Sequence, residues 1–172
     1  MQIIVEDTVK ARRINRFRLK IDEEQENVLR NLCYMSAVLW NRLNYIRRQM
    51  FFKNNFKWDT GVKELYNDFK KILGSAITQE IIRKNNETWR SFFKLLRLKR
   101  QGRLPPHIHR VLPPRYWKDR ISGRKKLMMI LRCDTYKIVE ERSRRYLVIL
   151  PKRLGLKIWI TGSFRWRGNK AD

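Results

Sequence analysis

Apolar and polar residues alternate strictly near the start of the chain. Between residues 16 and 21, three apolar side chains alternate with three basic ones, and this period of two predicts a β-strand with one buried and one solvated face. From Val28 to Met50 the apolar residues recur instead at spacings of three and four, which predicts one long amphipathic helix. Asp22 is its predicted N-cap, and Gln25 completes a capping-box signature.

Two further helices are predicted after an interruption at Lys53–Phe56. The second helix starts near residue 59 or 60 and ends at Gly74, a residue typical of helix C-termini. The third helix runs from Thr78 to Lys99. Asn85 falls on its apolar stripe, where a buried amide needs a hydrogen-bonding partner. Three amphipathic helices in succession predict a small bundle.

The remainder divides into a basic loop and a set of strands. Residues 101–126 lose all periodicity and hold four of the five prolines, which excludes a continuous helix or a central strand. Between Lys94 and Lys126 we count twelve Lys and Arg residues against one acid, Asp119. Stretches rich in β-branched and aromatic residues then predict strands at Leu127–Cys133, Thr135–Val139, Arg145–Leu150 and Leu156–Thr161, before a short alternating segment at Phe164–Trp166.

This order of elements predicts the α+β fold class. A lone N-terminal strand is marginal, so we expect it to pair with the C-terminal strands in a small β-barrel that carries an inserted three-helix bundle. The predicted domains are residues 1–21 and 127–172 for the barrel, 22–100 for the inserted helical domain, and 101–126 for the basic proline-rich connecting loop.

The net charge of the chain indicates the class of partner that it binds. The 172 residues include 41 Lys and Arg against 16 Asp and Glu, a net charge of +25. Such a surplus repels itself and is best explained by a polyanionic partner, of which nucleic acid is the leading candidate. No apolar run approaches the ~18–20 residues of a membrane span, and residues 1–21 lack the apolar stretch of a signal peptide. We therefore expect no membrane partner and a cytoplasmic location.

Groups that could carry catalysis or bind a metal are few. His107, His109, Cys33 and Cys133 do not match the usual spacings of zinc ligands. No phosphate-binding glycine loop occurs, and no trio of separated carboxylates stands near strand ends, as a two-metal nuclease needs. We predict no catalytic residue, no metal and no cofactor for this chain. The sequence leaves protein partners undetermined.

Basic residues interleaved with aromatic ones suit phosphate neutralisation and base stacking. Trp159 and Phe164 share this pattern, whereas Trp40 and Trp89 have the helical spacing of core residues. Asn41 lies opposite the apolar seam of the first helix, so it either faces a nucleic-acid duplex or caps a neighbouring backbone. The other candidate nucleic-acid-binding residues on these grounds are Arg12, Arg13, Arg16, Arg18, Lys20, Lys99, Arg100, Arg103, Arg110, Arg115, Tyr116, Trp117, Arg124, Lys125, Lys126, Arg165, Trp166 and Arg167.

Four segments, taken in order, resemble the N-terminal region of the TnpB (OrfB) proteins of prokaryotic insertion sequences. They are S-A-V-L-W-N at 36–41, E-T-W-R-S-F-F at 87–93, Q-G-R-L-P-P-H-I-H-R at 101–110 and L-P-K-R-L-G-L-K-I-W-I-T-G at 150–162. The chain departs from the family at Ala37, where an Arg is usual, and in its histidines, which replace an aromatic residue after the proline.

The resemblance implies an RNA-guided DNA endonuclease from a prokaryotic mobile element. In that family a β-barrel wedge domain grips the scaffold of a guide RNA, and an inserted helical domain helps to read a short motif that flanks the DNA target. Guide-type RNA and double-stranded DNA are thus the implied partners. By position, the motif-reading contacts fall near Trp58, Ser75 and Gln79 and in the loop around Ser122. Trp58 and Ser75 differ from the family's common residue types, whereas the amide of Gln79 can bind an adenine edge.

The resemblance also implies what lies outside this sequence. The RuvC-like nuclease of the family begins with a G-x-D-x-G segment just beyond the position of Asp172, so we expect the chain to hold the binding portion without the catalytic acids. Two other functions fit the same charge and elements. One is a structural RNA-binding protein of ribosomal type, and the other is a repressor that binds the DNA ends of its own mobile element.

Overall fold

The computed structural model describes residues 18–119, 121–149 and 156–161. The alternating segment predicted at Phe164–Trp166 lies outside these residues. The elements are β1 (Arg18–Lys20), α1 (Glu23–Phe52), α2 (Val62–Leu73), α3 (Ser75–Arg100), a 3-10 turn at Cys133–Thr135, β2 (Tyr136–Glu141), β3 (Arg144–Ile149) and β4 (Lys157–Thr161). Six predicted nucleic-acid contacts also lie outside the described residues: Arg12, Arg13, Arg16, Arg165, Trp166 and Arg167.

The first helix begins at the predicted cap. The Asp22 side chain accepts a hydrogen bond from the Gln25 backbone N–H at 2.7 Å, which satisfies one of the free donors of the first turn. The reciprocal half of the capping box is wrong, because the Gln25 amide donates to the carbonyl of Lys157 at 3.2 Å instead. Gln25 therefore ties α1 to β4. The helix ends at Phe52, immediately before the predicted interruption.

A single residue separates the second and third helices. Gly74 has φ 85° and ψ 157°, a left-handed conformation that glycine adopts without strain, and it turns the chain back on itself. The third helix therefore starts at Ser75, three residues before the predicted Thr78. One face of each of the three helices is buried in the apolar core, as the 3.6-residue period predicts.

The α+β class is confirmed. Four antiparallel strands pair in the order β1-β4-β3-β2, and the N-terminal strand joins the C-terminal ones, as expected. Within the described residues the sheet is open, with β1 and β2 at its edges, so closure into a small barrel is not confirmed. The division of the chain into domains stays a prediction.

The strand predicted at Leu127–Cys133 is wrong. Residues 126–132 have no regular structure, and a 3-10 turn follows. Met129 and Leu131 pack against the buried cluster without a strand partner, so their apolar character reflects burial and not pairing. Leu19 is also 39% exposed where alternation predicted burial, because an edge strand has a neighbour on one side only.

The helices and the sheet share one apolar core. Ile149 and Ile158, on the inward face of the sheet, belong to the same buried cluster as Leu32, Leu39 and Leu43 of α1. Every second residue of each strand points to the opposite face of the sheet, away from this core. No helix among the described residues is long and apolar enough to cross a membrane.

Candidate nucleic-acid interface

Polar side chains of α1 hold the proline-rich segment Pro113–Trp117 by its backbone. Asn44 donates from Nδ2 to the carbonyl of Pro114 at 2.9 Å, and Arg48 donates to the same oxygen at 2.8 Å. Trp40 donates from Nε1 to the carbonyl of Arg115 at 3.2 Å. Proline carbonyls lack a neighbouring N–H ladder, so a helix face that bears side-chain donors supplies their partners.

Asn41 completes this contact. Its Oδ1 accepts from the Trp117 N–H at 2.7 Å, and its Nδ2 donates to the Trp117 carbonyl at 3.4 Å. Of the two alternatives that the sequence left open for Asn41, the structure has it capping a neighbouring backbone. The Trp117 ring stacks on that of Trp40, with centroids 4.5 Å apart and an interplanar angle of 11°. One face of this predicted base-stacking ring is therefore already covered.

A compact turn follows at residues 118–126. Its ends meet in a bridge between Lys118 and Lys125. The Asp119 carboxylate accepts from the N–H of Ser122 at 2.7 Å, from its hydroxyl at 2.8 Å and from the N–H of Ile121 at 3.1 Å. These bonds, those to Ser122 first, hold the pKa of Asp119 below its ordinary value.

Together these two segments form a groove of about 740 Å³, which we call the basic cleft. Of its eleven lining residues, four are Lys or Arg, and Asp119 is the one acid among them. With four cations against one carboxylate, the cleft has a net positive charge. Five predicted contact residues line it, namely Arg115, Tyr116, Trp117, Ser122 and Lys126, together with Arg48, which the sequence did not single out.

Lys125 lies away from the basic cleft. Its ammonium donates to the Tyr34 hydroxyl at 2.9 Å and stands 4.4 Å from the centre of the Tyr34 ring. Both side chains are exposed. This contact fastens the turn to the N-terminal half of α1. Lys125 therefore positions the turn and also contributes a positive charge to it.

A second groove of about 460 Å³ lies between α2 and α3, and we call it the helical groove. Gln79 and Asn86 line it from α3, and Tyr66 lines it from α2. The Tyr66 hydroxyl bonds to the hydroxyl of Ser75, 2.7 Å away. Ser75 lies one helical turn before Gln79 and bonds to Tyr66, which lines the groove, but Ser75 is not itself one of the lining residues. Gln79 is exposed, so its amide is free to meet a ligand.

Trp58 is held in place by a buried arginine. Arg47 is 1% exposed and donates to Asn85 Oδ1 at 2.6 Å, to Asn86 Oδ1 at 2.5 Å and to the Trp58 carbonyl at 3.2 Å. The Trp58 ring lies against two guanidinium groups, those of Arg47 at 5.5 Å and Arg90 at 5.7 Å. The requirement that Asn85 find a partner is therefore confirmed, and the partner is a cation.

Burial changes the ionisation of that cation. Removal from water lowers the pKa of Arg47 to about 10, and the nearby Asp59 carboxylate opposes this only in part. Arg47 Nε and Asn85 Nδ2 have no hydrogen-bonding partner among the described residues. A buried charge held by neutral amides is strongly tied to its site, so Arg47 fixes α1, α3 and the loop before α2 together.

The remaining predicted nucleic-acid contacts that the structure describes are exposed cations, and they line neither groove. Lys99 and Arg100 occupy the last turn of α3, where the helix dipole favours positive charge. This group comprises Arg18, Lys20, Lys99, Arg100, Arg103, Arg110 and Arg124. Among the residues that the structure describes, no three His, Cys, Asp or Glu side chains are placed to hold a metal ion.

Sequence reasoning missed the residues that organise the interface. They are Arg47, Arg48, Asn44, Tyr66 and Asn86, each of which bonds to another element or lines a groove. From the sequence, Tyr66 belongs to the apolar face of the second helix, and the other four read as ordinary polar positions on helices. One signal was available: Asn41, Asn44 and Arg48 recur at spacings of three and four beside the apolar stripe, the pattern of a second packed face.

The fold and the clefts define a small, strongly basic α+β protein whose helical bundle anchors a cation-lined loop. The chain is related to TnpB-like proteins. It is 41% identical over 161 residues, 93% of its length, to the TnpB-like protein ORF457 of Acidianus two-tailed virus, which confirms the resemblance seen in its motifs. The matched region is 34% of that relative, so the chain spans about a third of the relative's length. No family model matches the chain, and no solved structure does.

Proposed function

We propose that this chain is the nucleic-acid-binding portion of a TnpB-like, transposon-associated protein. The sheet and the proline-rich loop would grip the scaffold of a guide-type RNA, and the helical groove would read a short motif in double-stranded DNA. Strand cleavage would belong to the remaining two thirds of such proteins. The relationship to a TnpB-like protein supports this assignment.

The basic cleft is the observation that carries the proposal. It gathers four cations around one acid, in a chain of net charge +25. Phosphate oxygens are the ligands that such a cleft neutralises best, because each contact releases a condensed counterion. Tyr116 adds an exposed ring beside the cations, and Arg48 stands 5.5 Å from its centre.

Base readout is assigned to Gln79 in the helical groove. An amide can donate to N7 and accept from the N6 amino group of adenine at once. Tyr66 holds Ser75 beside it, so a second hydroxyl-bearing contact is available one turn away. We expect Gln79→Ala to reduce discrimination for the preferred motif by about 1–3 kcal/mol and to leave binding to unrelated duplex unchanged.

Salt titration tests the proposal directly. If six or more phosphates are contacted, affinity should fall about a thousandfold between ~50 and ~200 mM salt. Replacing two cleft cations, in Arg115→Gln/Lys126→Gln, should flatten the slope of log affinity against log salt by about 1.8 for duplex. The matched control is Lys71→Gln/Lys94→Gln, which removes the same charge from exposed positions of α2 and α3. Equal effects of the two pairs, or binding indifferent to salt, would refute the role of the cleft.

The choice of ligand separates this function from its two alternatives. A TnpB-like portion should prefer RNA that derives from the end of its own element over ribosomal RNA, whereas a ribosomal-type protein should show the reverse. A repressor should protect the element's DNA ends in a footprint without any RNA present.

A further inference from the structure

The face of the sheet that points away from the apolar core has an ordered side-chain pattern. Residues directly opposite in antiparallel strands share a face, and the register places Lys20 beside Trp159, Trp159 beside Tyr146 and Tyr146 beside Val139. One row across all four strands therefore reads Lys20–Trp159–Tyr146–Val139, with two aromatic rings at its centre. We call this side of the sheet the outer face.

Cations flank the aromatic row on both sides. One neighbouring row contains Lys137, Val148 and Lys157, and the other contains Arg18, Arg144 and Glu141. The four Lys and Arg residues of these two rows are exposed, and so is Lys20 at the end of the aromatic row. Successive rows on one face of a strand are about 7 Å apart, which is close to the reach from one nucleotide to the next along an extended single strand.

We propose that the outer face binds unpaired nucleotides of RNA, with bases stacked on Trp159 and Tyr146 and phosphates neutralised by the flanking cations. The proposal rests on the proposed function and adds a site to it. Adjacent aromatic rings on an open antiparallel sheet, with positive charge beside them, are the arrangement that stacks splayed-out bases. A duplex keeps its bases paired and cannot present them to a sheet, so the site selects single strands.

The rings already have cationic neighbours that a nucleotide can use. Arg144 stands 4.9 Å from the centre of the Trp159 ring, and Lys157 stands 4.8 Å from that of Tyr146. Lys157 also pairs with Glu141 at 2.5 Å. Such exposed ion pairs contribute little, so a phosphate can replace the carboxylate on Lys157. Glu141 therefore acts as an internal competitor for the site.

Fluorescence anisotropy with the full chain tests this site. The probes are labelled 12-nucleotide oligo(U) and oligo(A) RNA, the corresponding DNA strands, and a blunt-ended RNA duplex of similar phosphate number. We expect Trp159→Ala and Tyr146→Ala each to weaken binding to the single strands by between about 5- and 150-fold and to change duplex affinity less than twofold. Tyr45→Ala, at an exposed tyrosine of α1 that is 55% accessible, is the matched control and should change neither.

Conservative variants keep the test independent of folding. Trp159→Phe and Tyr146→Phe retain a stacking ring and should retain most of the single-strand affinity, while Trp159→Leu and Tyr146→Leu retain apolar bulk and should lose it. Glu141→Gln should tighten single-strand binding. Equal binding by the Phe and Leu variants, or an equal loss for the duplex and the single strands, overturns the proposal.

The outcomes also separate this site from the basic cleft. If the wild-type chain binds no oligonucleotide, the proposed function fails and the outer-face site fails with it. If the chain binds with the expected salt dependence but the aromatic variants match the wild type, only the outer-face site is refuted. Tighter binding of the DNA strands than of RNA would replace RNA by single-stranded DNA as the ligand and contradict the proposal as stated.

Discussion

Asn41 forms hydrogen bonds with both polar groups of the Trp117 backbone. Its Oδ1 accepts from the N–H at 2.7 Å and its Nδ2 donates to the carbonyl at 3.4 Å, so one amide of α1 holds the backbone of this loop residue, whose carbonyl also accepts from the Lys126 N–H at 3.2 Å. The Trp117 ring then stacks on Trp40 one position earlier in the helix. The wall of the basic cleft is thereby fixed to α1.

Asn41→Leu should loosen that wall. The variant keeps the side-chain volume but leaves the Trp117 N–H without its acceptor, so we expect a loss of about 1–3 kcal/mol in the free energy of unfolding and weaker RNA binding. Urea denaturation followed by Trp fluorescence measures the first effect. Gln49→Leu is the control, because Gln49 is an exposed amide on the same helix. If both variants lose the same stability, the Asn41 contact is not what holds the loop.

Arg47→Met should be among the most damaging single changes in the bundle. It leaves the acceptor of buried Asn85 without a donor, for which we expect about 2–4 kcal/mol of destabilisation. Adding Asn85→Leu should restore at least half of the loss, since replacing both partners by apolar groups removes the unpaired polar atom. A double-mutant cycle by chemical denaturation provides the measurement, and strictly additive losses would contradict the coupling.

Acid should release the turn at residues 118–126. The pKa of Asp119 is lowered in the folded chain, so its contribution is fully present above the ordinary carboxyl pKa, about 3.9, and is lost as pH falls through the lower folded value. NMR titration of the Ile121 and Ser122 amide shifts follows this directly. In Asp119→Asn the amide oxygen still accepts, so the shifts should no longer respond in this range. An Asp119 that titrates at or above its ordinary value would rule this out.

The β2–β3 hairpin carries backbone strain that glycine can relieve. Arg142 and Ser143 have φ of 46° and 62°, values that two-residue hairpin turns require but that side chains oppose. We expect Ser143→Gly to raise the free energy of unfolding by up to about 1 kcal/mol. Gly123→Ser is the reciprocal control: Gly123 has φ 69°, and an added Cβ meets only Lys118 Cε at 3.7 Å. The two changes should have opposite signs by denaturation.

Prediction from sequence succeeded where local signals agreed with tertiary contacts. The Asp22 cap, the end of α2 at Gly74 and the pairing of the first strand with the last follow from short-range chemistry and from the need of a lone strand for a partner. The strand prediction failed at Leu127–Cys133. A run of apolar residues indicates that a segment is buried, but it does not indicate which secondary structure the segment adopts. The capping-box prediction for Gln25 failed because its side chain bonds to a distant group, the Lys157 carbonyl, in place of the local Asp22 N–H.

The sequence by itself determined that the chain is α+β, strongly basic and related in its motifs to TnpB proteins, because periodicity, net charge and ordered segments are properties of the order of residues along the chain. Only the tertiary structure decided which cations line the same cleft, that Asn41 and Trp117 bond to each other and stabilise the fold, and that Trp159 stands beside Tyr146. Those relations join residues far apart in the chain, and they are set by packing and register, which no local pattern encodes.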